Sequence, residues 1–163
     1  MTQDDLNRIV QIIGTDKKYS HFISRITKDF QASKQKGIPV AMQAFFVEDI
    51  GFCIISLSPL KMREWEKVFR EEGWVSQNFS IDISSFELMY IYVKPNFRKS
   101  GQGSILFDKV LSYAKKHKIK ALFAYVSDTN ASALNFYKGK GASVISSFTD
   151  GSNTAAFLRW EVY

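Results

Sequence analysis

Residues 87–104, ELMYIYVKPNFRKSGQGS, decide how this chain is read. Glu87 to Val93 is rich in aromatic and β-branched residues, which favours a strand, and Pro95 then stops strand pairing by removing a backbone donor. From Ser104 onward the period changes. Ile105, Leu106, Val110, Leu111, Tyr113, Ala114 and His117 recur at spacings of three and four, which predicts one side of a helix. Between strand and helix lies Arg98-Lys99-Ser100-Gly101-Gln102-Gly103-Ser104. Its glycines let the backbone approach a ligand, and the N–H groups that open the helix lack intrahelical partners at the positive end of the helix dipole. Such a segment is suited to holding phosphates.

The charge pattern agrees with that reading. The chain of 163 residues carries a net charge of +6. Between Lys94 and Lys120, eight basic residues face Asp108 alone, and the rest of the chain is close to neutral. A basic loop and helix suit a polyphosphate or a nucleic-acid backbone. KKHKIK at Lys115 to Lys120 reads equally as a solvated helix C-terminus, where cations complement the dipole. No aromatic residues interleave with the basic stretch in the manner of a stacking surface, so nucleic acid is not the expected partner.

Length and a 45% hydrophobic content predict one domain with a substantial core. The N-terminus MTQDDLNRIVQII does not read as a signal peptide, no apolar run approaches membrane-spanning length, and Cys53 stands alone. A reducing, cytoplasmic setting is expected. His21 and His117 are far apart and offer no metal-ligand cluster, so no metal is expected.

Helices are predicted over Asp4 to Ile13 and Lys17 to about Lys36, and strands over Pro39 to Val47 and Phe52 to Leu57 joined by a hairpin at Glu48-Asp49-Ile50-Gly51. Lys61 to Glu72 places Trp65, Val68 and Phe69 at helical spacing, followed by a polar stretch to Ser85. A strand over Lys120 to Val126, a helix over Asn130 to Lys140, and strands over Ser143 to Phe148 and Ala155 to Tyr163 complete the chain. In the last helix Asn130 is a good N-cap, and Ala133, Leu134 and Tyr137 share a face toward the sheet. A tyrosine there reads, on its own, as a buried aromatic with a satisfied hydroxyl.

Other phosphate loops do not fit. Gly101-Gln102-Gly103 lacks the Gly-Lys-Ser/Thr of a P-loop, and Leu106 stands where a dinucleotide fingerprint needs its third glycine.

The segments YIYVKP, Arg98-Lys99-Ser100-Gly101-Gln102-Gly103 and NASALNFYKGKGA, in this order, resemble the GNAT superfamily of N-acetyltransferases, whose members use acetyl-CoA. The resemblance spans Glu87 to Ala142. It implies an α/β fold of the α+β type, a mixed central β-sheet flanked by helices in a single domain over 1–163. The chain departs from the family by beginning almost at once with helix, and 61–85 reads as an insertion. There Trp65, Trp74 and Phe79 either line an acceptor pocket or cover a sheet edge.

The resemblance implies direct transfer of an acetyl group from acetyl-CoA to an amine. Backbone N–H groups of Arg98, Lys99, Ser100, Gly101, Gln102, Gly103 and Ser104 would hold the pyrophosphate, and Ile91, Tyr92 and Val93 would lie beside the pantetheine arm. One backbone N–H would polarise the thioester carbonyl. Tyr137 is the candidate general acid for the departing thiolate, and Asn130 would orient the pantetheine arm or its own helix. A lysine-like amine is neutral in only about one part in a thousand at pH 7, so a base is useful. Glu87 shares strand parity with Met89, Ile91 and Val93 and is the candidate base; it reads equally as a strand-end carboxylate, solvated or paired with a lysine. Tyr90 and Tyr92 read as core or pocket walls. The acceptor would be a small-molecule or peptide amine, and the protein a monomer or homodimer. A non-catalytic acyl-CoA sensor is the alternative.

Overall fold

The computed structural model describes residues 1–35, 41–127, 131–150 and 153–162. Its strands form a six-stranded mixed sheet in the order β1-β2-β3-β4-β6-β5. By contacts the chain divides into two compact units, 1–57 with 88–113 and 58–87 with 114–163.

In the first unit, α1 (Gln3–Ile13) is started by a capping box: the Asp5 N–H donates to Thr2 Oγ1 at 3.1 Å, and the Thr2 N–H donates to the Asp5 carboxylate at 2.7 Å. Its apolar stripe of Leu6, Ile9, Ile12 and Ile13 is buried, as are Ile26 and Phe30 of α2 (Ser20–Ser33). These side chains pack with Phe52 and Ile54 and with Tyr90 and Tyr92. The sequence predicts a second helix from Lys17. The structure starts it at Ser20, because Asp16 makes a turn instead, its carboxylate accepting from the Lys18 N–H and its carbonyl from the Tyr19 N–H.

The hairpin of β1 (Ala41–Val47) and β2 (Gly51–Leu57) is antiparallel, with Val47 opposite Gly51 and Ala41 opposite Leu57. Gly51 is required by close approach, since a Cβ there would lie 2.9 Å from the Tyr92 carbonyl oxygen. β3 (Phe86–Val93) is buried at Phe86, Glu87 and Leu88 and alternates beyond them, burying Tyr90 and Tyr92 and leaving Met89, Ile91 and Val93 partly exposed. The helix α4 (Gln102–Lys116) buries Leu106, Phe107, Val110 and Ala114. Two assignments to its face are corrected. Ile105 is 44% exposed while Phe107 is fully buried, and His117 lies beyond the helix, which closes with the Ile119 N–H donating to the Ala114 carbonyl and Lys118 at φ 55°.

In the second unit, α3 (Pro59–Glu71) starts with proline in its first turn, where the missing N–H costs nothing. Met62 and Phe69 are buried with Phe123 and Phe157, and Trp65, Trp74 and Phe79 pack against this cluster. The three aromatics of 61–85 are therefore partly buried against the core of this unit. Glu66 is buried on the same helix. Burial pushes its pKa up, but the Ile81 N–H, Arg70 and Arg63 outweigh this and hold it below the ordinary value. β4 (Ala121–Ser127) pairs antiparallel with β6 (Asn153–Glu161), which pairs with β5 (Ser143–Asp150) through a bulge between Val144 and Ser146. β3 meets β4 in parallel at Phe86↔Leu122 and Glu87↔Phe123. The helix α5 (Ala131–Gly139) completes this unit.

Candidate functional site

The candidate phosphate cradle lies within the first unit. Beyond Val93 the Lys94 N–H bonds to the Ile50 carbonyl at 2.8 Å, and Pro95–Phe97 forms a 3-10 turn closed by the Arg98 N–H on the Pro95 carbonyl. Ser100 Oγ donates to the Phe97 carbonyl at 2.6 Å. Lys99 and Gly101 then take positive φ, 60° and 85°. α4 follows at once, with its first bond from the Ile105 N–H to the Gly101 carbonyl at 3.1 Å. The amides of Gln102, Gly103 and Ser104 thus lie in a helix's first turn, which supplies them no carbonyl of its own. These donors and the dipole fit the pyrophosphate of an acyl-CoA. A Cβ on Gly101 would meet no atom within 4 Å, so glycine is needed there for its φ, which side chains resist.

Arg98 stands at the start of the loop and is held there by its side chain. Its Nε donates to the Val93 carbonyl at 2.8 Å, and its guanidinium lies 5.0 Å from the Tyr19 ring centre and 5.7 Å from that of Tyr92. An Nη is 3.9 Å from Asp16, whose carboxylate accepts the Tyr92 hydroxyl at 2.9 Å. Burial first, and then this bond, push the Tyr92 phenol well above its ordinary pKa, so it remains a donor. Arg98 therefore ties the loop to β3 and to the α1–α2 connection. No motif in the sequence singles out Asp16 or Tyr19 for this role. They stand more than seventy residues from Tyr92, and no local spacing joins them.

Tyr92 accordingly faces the core, stacked on Phe52 at 5.5 Å. Its side chain is thereby committed to the core, while the neighbouring Ile91 and Val93 stay partly exposed.

The candidate acid and base belong to the second unit. Tyr137 is buried in α5, its ring edge-on to Trp160 at 5.4 Å and its carbonyl accepting from the Lys140 and Ala142 N–H groups at the helix end. Asn130 lies outside the described residues. Glu87 is 6% exposed, and Lys61 of α3 donates to both of its oxygens at 2.8 Å. The Lys61 ammonium also sits 5.1 Å from the Trp65 ring centre. Lys61 has no motif to single it out in the sequence. Among the described residues no group of three or more His, Cys, Asp or Glu is placed to hold a metal, and no helix is long and apolar enough to cross a membrane. Cys53 is buried, and burial pushes its thiol far above the usual range.

Known proteins share this architecture. The ribosomal-protein-S18-alanine N-acetyltransferase of Escherichia coli superposes with a TM-score of 0.63 at 16% identity, covering 99% of this chain and 90% of that one. The PaiA N-acetyltransferase of Thermoplasma acidophilum, solved in complex with coenzyme A, gives 0.59 at 17% identity, covering 99% and 95%. At these identities the likeness is one of fold. In sequence, N-alpha-acetyltransferase 60 of Danio rerio is 28% identical over 91 residues, which is 53% of this chain and 38% of that relative. The match thus spans well under half of the curated relative's own length. The model of the acetyltransferase (GNAT) family matches residues 60–142, half of the chain and the part that holds β3, the candidate cradle, α4, β4 and α5. The chain belongs to the acetyltransferase (GNAT) family.

Proposed function

We propose that this protein transfers the acetyl group of acetyl-CoA directly to a primary amine of a small molecule or peptide. The observation that carries this reading is the loop 98–101 running into α4, with Lys99 and Gly101 in left-handed conformations ahead of the first-turn amides. Acetyl-CoA would supply an activated thioester. The amides of Gln102, Gly103 and Ser104 bind its pyrophosphate, and the backbone of Ile91, Tyr92 and Val93 bonds the pantetheine amides. Arg98 acts through its packing, holding the loop in shape rather than meeting phosphate with its charge.

Tyr137 is the proposed proton donor to the departing thiolate, with Asn130 orienting the start of its helix. Glu87 is the proposed acceptor of the amine proton. Its pairing with Lys61 fixes the carboxylate in place, and water would share in carrying the amine proton away.

The relatives favour an amine acceptor. One is named for N-alpha acetylation and another for an alanine of ribosomal protein S18. We therefore place peptide N-termini beside small amines in the acceptor class. The test is isothermal titration with acetyl-CoA followed by mass analysis of amines incubated with enzyme and cofactor. Binding with an acetylated amine supports the transferase; binding with no product from any amine supports an acyl-CoA sensor.

A further inference from the structure

The second unit contains an open cleft of about 1030 Å³ to which the transfer reaction gives no role. Phe123 and Ala121 of β4 line it together with Arg159 and Glu161, their register partners on β6. The 80–85 segment, Arg63, Lys118 and Lys120 complete the lining, so four cations stand against Asp82 and Glu161.

Much of this charge is already paired. Lys120 bonds to Asp82 at 2.9 Å, and Asp82 also accepts from the Ser84 N–H and hydroxyl, contacts that hold its carboxyl well below the usual range. Arg159 bonds to Glu161 at 2.6 Å, with its guanidinium 5.7 Å from the Phe123 ring centre. Three donors remain. Ser85 is fully buried, and its Oγ has no hydrogen-bond partner among the described residues. Arg159 Nε is buried in the same condition, and Lys118, held at φ 55°, has no ion-pair partner there. Buried donors are nearly always satisfied, so two unmet ones at one cleft point to an acceptor that arrives from outside. Ile81, Ile83, Ala121 and Phe123 give the same cleft an apolar part.

We infer that this cleft binds an organic anion, a carboxylate or phosphate carried on a compact apolar body. Arg159 and Ser85 meet the anionic head, Lys118 adds charge, and the apolar body lies against Phe123 and Ile83. The inference does not rest on the acetyl-CoA reading and is tested apart from it.

The experiment is a two-dimensional amide NMR titration of the whole protein with benzoate and with phenyl phosphate, using benzyl alcohol as the neutral control. The expected result is saturable shifts at residues 80–85, 118–123 and 159–161 with at least one anion, and none with benzyl alcohol. Response to benzoate alone identifies a carboxylate ligand, and response to phenyl phosphate alone a phosphate. Losing the charge-assisted contact should weaken binding about tenfold in Arg159→Gln, with smaller losses in Ser85→Ala and in the exposed variant Lys118→Ala. No saturable shift with either anion, equal shifts with benzyl alcohol, shifts confined to 98–104, or unchanged affinity in a folded Lys118→Ala protein would each overturn the inference.

Discussion

The Lys61 ammonium lies 2.8 Å from each oxygen of Glu87, pairing a carboxylate at the start of β3 with a helix that carries no recognisable motif. The carboxylate is nearly out of solvent, whereas the lysine side chain is 42% exposed. Removing the lysine takes one ion pair away from a buried carboxylate, and the lysine's exposure moderates the cost. Lys61→Met should destabilise the fold by about 1–2 kcal/mol, read by denaturant unfolding, and Lys61→Met/Glu87→Gln should recover part of that loss.

Glu87→Gln separates chemistry from packing. If Glu87 receives the amine proton, the rate deficit grows as pH falls below the amine's pKa, where fewer acceptor molecules are neutral. The check is the pH dependence of kcat/KM. A variant profile parallel to that of the wild type assigns Glu87 to the ion pair alone.

Tyr137→Phe keeps the ring that packs on Trp160 and removes only the hydroxyl. A group that protonates the departing thiolate acts mainly in the transition state. The expected outcome is a fall in kcat of about 10²-fold with little change in acetyl-CoA affinity, measured by steady-state rates beside titration. Retained turnover would return Tyr137 to a structural role.

Arg98→Ala should raise the acetyl-CoA dissociation constant by about tenfold while leaving kcat at saturation nearly unchanged, because the loop loses its tether rather than a reacting group. Arg98→Lys should not restore binding. An ammonium lacks the planar, multi-donor group that both donates to the Val93 carbonyl and lies near the Tyr19 and Tyr92 rings. Calorimetry on the three proteins decides this.

Gly101 makes a conformational prediction. At φ 85° with open space around its Cβ direction, even Gly101→Ala should weaken cofactor binding, through about 1 kcal/mol of backbone strain rather than through a clash. Unchanged affinity in Gly101→Ala and Gly101→Val would show that the loop does not need this conformation to bind.

What the sequence reveals here is what local pattern encodes. The alternation of Glu87 to Val93, the glycines at 101 and 103 and the three-four spacing after Ser104 each depend on neighbours within a turn or a strand, and β3, the cradle and α4 follow from them. The side chains that position the cradle are not legible in this way. Asp16 and Tyr19 reach Arg98 and Tyr92 from the α1–α2 connection, and Lys61 reaches Glu87 across 26 residues. Such contacts are set by packing between elements. The same limit explains the aromatics of 61–85. Trp65 and Phe69 read from their helix alone show an apolar face, but only the structure shows Phe157 of β6 filling it.

The most direct test of acetyl transfer is the release of free coenzyme A thiol from acetyl-CoA across a panel of small amines and peptides with free N-termini, each run beside a control without amine. The account predicts saturable, amine-dependent thiol release matched one to one by acetylated product and strongly reduced in Tyr137→Phe. Thiol release no greater with any amine than without, from a protein shown to bind acetyl-CoA, would contradict it.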